Sequence, residues 1–111
     1  MQISCGPGFA ILYRWRLHPG MESSFVDAWS RISELLRDER GSLGSRLHRG
    51  VDGLWYSYAQ WPSAEAREKA FAAPSPDAAA GEQMRAAIAE SLPEIVLESV
   101  ADFMVIEARA R

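Results

Sequence analysis

"SLGSRLHRGVDGLWYSYAQW", residues 42–61, holds two strand-like runs on either side of Gly50 to Gly53, and its Asp52-Gly53 pair is a strong short-range hairpin signal. A strand with one dry and one wet face alternates apolar and polar residues, yet between Leu54 and Trp61 neither alternate set is polar throughout. Both faces of this strand are therefore expected to be covered. A two-residue loop, at Val51-Asp52 or at Asp52-Gly53, makes the numbers of facing residues sum to an odd number. One face then carries Trp55, Ser57, Ala59 and Trp61 with Gly44, Arg46 and His48. The other carries Leu54, Tyr56, Tyr58 and Gln60 with Leu43, Ser45, Leu47 and Arg49. A three-residue turn reverses this parity and separates the groups.

Working outward, "FAILYRWRL" (residues 9–17) combines aromatic and β-branched residues and ends at His18-Pro19-Gly20, which reads as a first strand. Met21, Phe25, Ala28, Trp29, Ile32, Leu35 and Leu36 then recur at spacings of three and four, the stripe of an amphipathic helix, and Gly41 supplies its stop. After the hairpin, Ser63 is a helix cap with Glu65 in the favourable first turn, and this short helix ends before Pro74. "SPDAAAGEQMRAAIAESLP" predicts another helix, capped by Ser75, with Pro76 at its first position and Pro93 closing it. Residues 101–108, "ADFMVIEA", read as a fourth strand. The order βαββαβ is that of the ferredoxin-like α+β fold, a four-stranded antiparallel sheet with helices on one face. The uncovered face is expected to be apolar and, because soluble monomers rarely expose large apolar patches, to pack against a second copy as a homodimer.

The small residues Ser57 and Ala59 between the large Trp55 and Trp61, with Gly44 across from them, leave a slot unless a helix side chain fills it. His48 and Arg46 would give that slot a titratable group and a fixed positive charge, the usual form of a small-molecule site. The alternative is a closed core around the tryptophans, with an ordinary strand histidine and a solvated arginine.

At 111 residues the chain is near the commonest domain size, so residues 1–111 are expected to form a single domain with 1–8 as a loose N-terminal segment. A net charge of -3 and scattered basic residues offer no electrostatic footprint for nucleic acid. The apolar run at residues 9–17 is broken by Arg14 and Arg16, so no membrane span or signal peptide is expected and the cytoplasm is the expected location. Cys5 alone cannot form an internal disulfide, and His18 and His48 lie on different elements with no carboxylate at ligand spacing, so no metal is expected. No phosphate-loop or dinucleotide fingerprint occurs, so no cofactor is expected either.

The "PG" before the first helix, Phe25 and Trp29 within it, "GSLGSRLHR" in the second strand and "QWPSAEAREKAF" after the third together resemble an antibiotic biosynthesis monooxygenase (ABM) domain. The resemblance implies a dimeric α+β barrel and, in one branch of a mixed family, oxidation of quinols, anthrones or polyphenols by O2 without a cofactor. It implies that Trp61 is a pocket tryptophan and that His48 matches a histidine of the polyketide-oxidising branch. A strand-three asparagine of that branch falls on Ser57, and this chain contains no asparagine. The later helix also lacks the histidine that haem degradation requires. Losing a proton is what lets an electron-rich phenol pass an electron to O2, so His48 is the expected base, with Ser57, Arg46 or the Trp61 indole N–H as donors to the oxyanion. His48, Trp61 and Ser57 are thus the catalytic candidates, and Arg46, Trp55, Ala59 and Trp29 the substrate-binding ones. The alternative is a non-catalytic dimeric binding or interaction module on the same scaffold.

Overall fold

The computed structural model describes residues 8–105, in which β1 (Phe9–Leu17), α1 (Glu22–Glu39), β2 (Gly44–Arg49), β3 (Trp55–Trp61), α2 (Ala64–Ala72), α3 (Ala78–Ala87), β4 (Ile88–Ser91) and β5 (Ile95–Glu98) follow in order. The sheet runs β2-β3-β1-β4, and β5 also pairs with β1. All pairings are antiparallel. This is the expected α+β, ferredoxin-like arrangement, but the sheet has five strands rather than four. β4 lies along Trp15 to Leu17 of β1 and β5 along Phe9 to Leu12, so the two share one edge of β1 end to end. Together they fill the position expected of one fourth strand.

That strand was expected at residues 101–108. Residues 101–105 instead have no regular structure, with Phe103 94% exposed, and 106–108 lie outside the described residues. The β-branched pair Ile95-Val96 after Pro93 takes the edge of β1 first, and proline, lacking an N–H, divides the edge strand in two. The helix expected to run to Pro93 stops at Ala87, whose carbonyl accepts the His18 N–H at 2.9 Å, and the chain then pairs with β1. Its cap is Asp77 rather than Ser75. The Asp77 carboxylate accepts the Ala80 N–H at 3.0 Å, and a negative charge suits the positive end of a helix. Ser63 caps α2 as expected, accepting the Ala66 N–H at 3.0 Å, and Gly41, at φ +86°, ends α1.

The hairpin carries the consequential correction. Its register pairs Gly44 with Gln60, Ser45 with Ala59, Leu47 with Ser57 and Arg49 with Trp55, so facing numbers sum to an even number. The loop is the three residues Val51 to Gly53: the Gly50 N–H donates to the Leu54 carbonyl at 2.7 Å, and Gly53, at φ +86°, donates to the Gly50 carbonyl at 3.0 Å. Asp52 reinforces it by accepting the Leu54 N–H at 3.0 Å. His48 therefore lies across from Tyr56, and Arg46 across from Tyr58, on the face turned away from the helices.

On the helix face, Trp15, Leu17, Phe25, Trp55 and Ala87 form the buried cluster, with Tyr13, Trp29, Leu47 and Met84 packed against it. Phe25 meets Trp15 and Trp55 edge-on at 5.1 and 6.1 Å between ring centres. On the other face, Leu12, Arg14, Tyr56 and Tyr58 are only half-buried, and Met104 lies beside Leu43 and Tyr58. Among the described residues no helix is long and apolar enough to cross a membrane.

Candidate functional site

The expected slot exists, with a different lining. A partly open cavity of about 380 Å³ lies between the sheet and the helices. Ser57, Ala59 and Trp61 of β3 form its floor with Tyr13 and Trp15 of β1, because the period of two sends these side chains to one face and β1 pairs Tyr13 with Ser57 and Ile11 with Ala59. Trp29, Ile32 and Leu36 of α1 make one wall and Gly81, Met84 and Arg85 of α3 another. Phe71 and the segment joining α2 to α3 close the top. Arg40 fastens that segment by donating to the Ala70 carbonyl at 3.0 Å and the Pro74 carbonyl at 2.9 Å. The volume falls within the ~300–1,000 Å³ usual for ligand pockets.

Its polar groups are indole and guanidinium groups, which only donate, and the hydroxyls of Tyr13, Ser33, Ser42, Ser45, Ser57 and Ser75, which accept as well as donate. Trp61 is only 1% exposed, and its Nε1–H has no hydrogen-bond partner among the described residues, an arrangement that costs about 1–3 kcal/mol when a buried donor is left unmade. Ser57 is 2% exposed and accepts the Trp29 Nε1–H at 3.1 Å. Tyr13 Oη accepts from Arg67 Nε at 3.2 Å and Nη2 at 3.0 Å. Burial pushes the Tyr13 phenol above its ordinary value, with Arg67 pulling the other way. Arg40 and Arg85 add cationic edges, and no carboxylate or imidazole lines the cavity among the described residues.

Of the residues expected at the site, Trp61, Ser57, Ala59 and Trp29 come together around this cavity. His48 and Arg46 do not: they border a shallow depression on the opposite face with Leu43, Tyr58 and Met104. Trp55 belongs to the closed core, where the Arg49 guanidinium sits 4.7 Å above its ring. Ser45 takes the place opposite Ala59 that the other parity would have given to Arg46. Nothing in the strand pattern singles out Tyr13 and Arg67. The signal for Tyr13 is its place in the alternate set Phe9, Ile11, Tyr13 and Trp15, which acquires meaning only once the β1–β3 register is known. Among the described residues no group of three or more His, Cys, Asp or Glu side chains is placed to hold a metal ion.

The family model for antibiotic biosynthesis monooxygenases matches residues 8–91, which spans β1 through β4. The chain belongs to the ABM family. Its fold is similar to that of SnoaB, a cofactor-independent oxygenase from Streptomyces nogalater, at a TM-score of 0.72 and 17% identity over 88% of this chain and 98% of that one. Rv0793 from Mycobacterium tuberculosis matches at 0.70 and 17% identity over 89% of this chain and 100% of its own, and PA3566 from Pseudomonas aeruginosa at 0.68 and 17% over the same shares. None of the curated proteins matches the sequence. At such identities these neighbours share the fold, and the lining of this chain's cavity has to be read from its own residues.

Proposed function

We propose that this ABM chain is an oxygenase that takes a small planar aromatic (a quinol, anthrone or polyphenol) into the cavity and oxidises it with O2. The observation that carries this is an apolar, partly open cavity lined by Trp61, whose buried N–H is unpartnered, and edged by the Arg40 and Arg85 guanidinium groups. An electron-rich aromatic reacts with O2 as its anion, and preorganised donors in a dry site stabilise an oxyanion far better than water-exposed ones do. For an anthrone, the bound anion gives one electron to O2. The resulting radical and superoxide join at the ring carbon, the peroxide anion takes a proton back from solvent, and the hydroperoxide loses water, so that CH2 plus O2 becomes C=O plus H2O. Because no imidazole or carboxylate lines the cavity among the described residues, the substrate proton leaves to solvent at the open side. The rate should therefore rise with pH through the substrate's own ionisation, lowered by binding, and not through the imidazole range.

The chain is proposed to act as a homodimer joined through the sheet face that bears Leu12, Tyr56 and Tyr58 and leaves Leu43 exposed. One observation favours a second reading: without an imidazole or carboxylate at the cavity, the chain can bind an aromatic without turning it over. Oxygen-electrode traces with a panel of anthrones, hydroquinones and catechols separate the two. Uptake above the buffer rate, with the carbonyl oxygen derived from labelled O2, is the expected result. Binding without uptake across the panel assigns the chain to the binding class.

A further inference from the structure

Tyr13 sits directly across from Ser57 in the β1–β3 register, and its ring stacks on Trp15 at 5.7 Å with 2° between the planes. From α2, Arg67 reaches its oxygen with two nitrogens, at 3.2 and 3.0 Å. Arg67 Nη2 is itself held by both carboxylate oxygens of Glu94, each at 2.9 Å, and the guanidinium lies 5.7 Å from the centre of the Tyr13 ring. A phenol oxygen has one hydrogen to give and two lone pairs, and a guanidinium has only donors. The fork from Arg67 thus occupies the acceptor side of Tyr13, and among the described residues nothing takes its hydrogen.

We propose that Tyr13 is an oriented hydrogen-bond donor of the cavity, held in that role by Arg67 and Glu94, and that it makes the site select a phenolate over the neutral phenol. This rests on the reading of the cavity as an aromatic-ligand site. A cation behind the hydroxyl polarises the O–H toward the ligand, since hydrogen bonds in a chain strengthen one another in a low dielectric. Glu94 offsets the charge of that cation, so Tyr13 itself stays a neutral phenol, in keeping with the upward push of burial. Trp61 Nε1–H is a second unpartnered donor, fully buried at the cavity's edge, and Ser57 Oγ already accepts from Trp29. A neutral phenol can give its hydrogen to a serine hydroxyl of the wall, but a phenolate, which brings only acceptors and a charge, gains more from the Tyr13 O–H and from the cationic edges. The charged groups around Tyr13 are Arg67 from α2 and Glu94 between β4 and β5, with Arg40 at the end of α1 and Arg85 of α3 on the cavity wall, a set that also favours an anion.

The probe is 4-nitrophenol, whose two protonation states absorb at different wavelengths. Titrated in complex with the full chain, its apparent pKa should fall by about one unit from the value in water, a preference for the phenolate of about tenfold. Tyr13→Phe should return the bound probe most of the way to its value in water. Arg67→Met keeps the hydroxyl but frees its oxygen to accept, and should also reduce the preference; Arg67→Lys, which restores one charged donor, should recover part of it. Should Tyr13→Phe fail to fold, the Arg67 pair carries the test. Tyr56→Phe, on the opposite face, should change nothing. A folded Tyr13→Phe protein with an undiminished phenolate preference overturns the proposal, as does a wild-type protein that binds the neutral form better or does not bind the probe. Tyr13-dependent phenolate binding without O2 uptake supports this proposal while removing the oxygenase one.

Discussion

Replacing Trp61 by Phe should separate stability from binding. Truncating a buried tryptophan to alanine costs about 3–5 kcal/mol, but phenylalanine keeps most of the ring and its tilted contact with Phe71 at 5.8 Å. The substitution also deletes the unpartnered Nε1–H, and removing an unsatisfied buried donor returns about 1–3 kcal/mol. The two effects oppose each other, so the unfolding free energy should stay within about 1 kcal/mol of wild type, or roughly 4–8 °C in Tm for a domain near this size. Ligand affinity should not be spared. A hydrogen bond to a charged acceptor contributes about 1.5–3 kcal/mol, which corresponds to a loss of roughly 10- to 150-fold for a phenolate ligand. Urea denaturation measures the first quantity and titration calorimetry the second. A variant destabilised by more than about 3 kcal/mol with unchanged phenolate affinity would show that the indole N–H is structural and refute the argument for the site.

Ala59→Leu should fill the cavity floor, abolishing binding while stability changes by less than about 1 kcal/mol; a loss of about 1–3 kcal/mol with no effect on ligand would mean that there is no space to fill. His48→Ala should leave O2 uptake within about twofold of wild type, whereas a general base is responsible for roughly 10²- to 10⁴-fold, so a loss of that order would bring the histidine back to the reaction. Light scattering at micromolar concentration should give the mass of a homodimer, the interface burying at least the ~1,200 Å² of a stable specific contact; a well-folded monomer would refute the use proposed for the Tyr56 and Tyr58 face.

Element type was largely written in local patterns. The stripe from Met21 to Leu36 needs only a period of 3.6 to be recognised, and Ser63 and Gly41 punctuate as their chemistry requires. What local pattern could not decide was parity. "GVDGL" suits a two-residue turn through Asp-Gly and equally a three-residue loop with Gly53 at positive φ, and a one-residue difference moves every side chain of β2 to the other face. That step removed His48 and Arg46 from the cavity while leaving Ser57, Ala59 and Trp61, whose side of the sheet is fixed by β1 and the helices above. The C-terminal strands failed for a different reason. Ile88 to Ser91 carry helix-compatible residues and become a strand because β1 has a free edge there, a long-range pairing invisible to local propensity.

Arg40 adds a kinetic dimension to the cavity. Two bonds from one guanidinium, to the carbonyls of Ala70 and Pro74, tether the end of α1 to the segment above the site. Exchange of a ligand through that side must release both at once, whereas traffic through the open side releases neither. A bulky aromatic would thus experience the site as a one-door chamber, with a second door held shut by two backbone carbonyls. Loosening it with Arg40→Lys would show in the dissociation rate before it showed in the equilibrium constant.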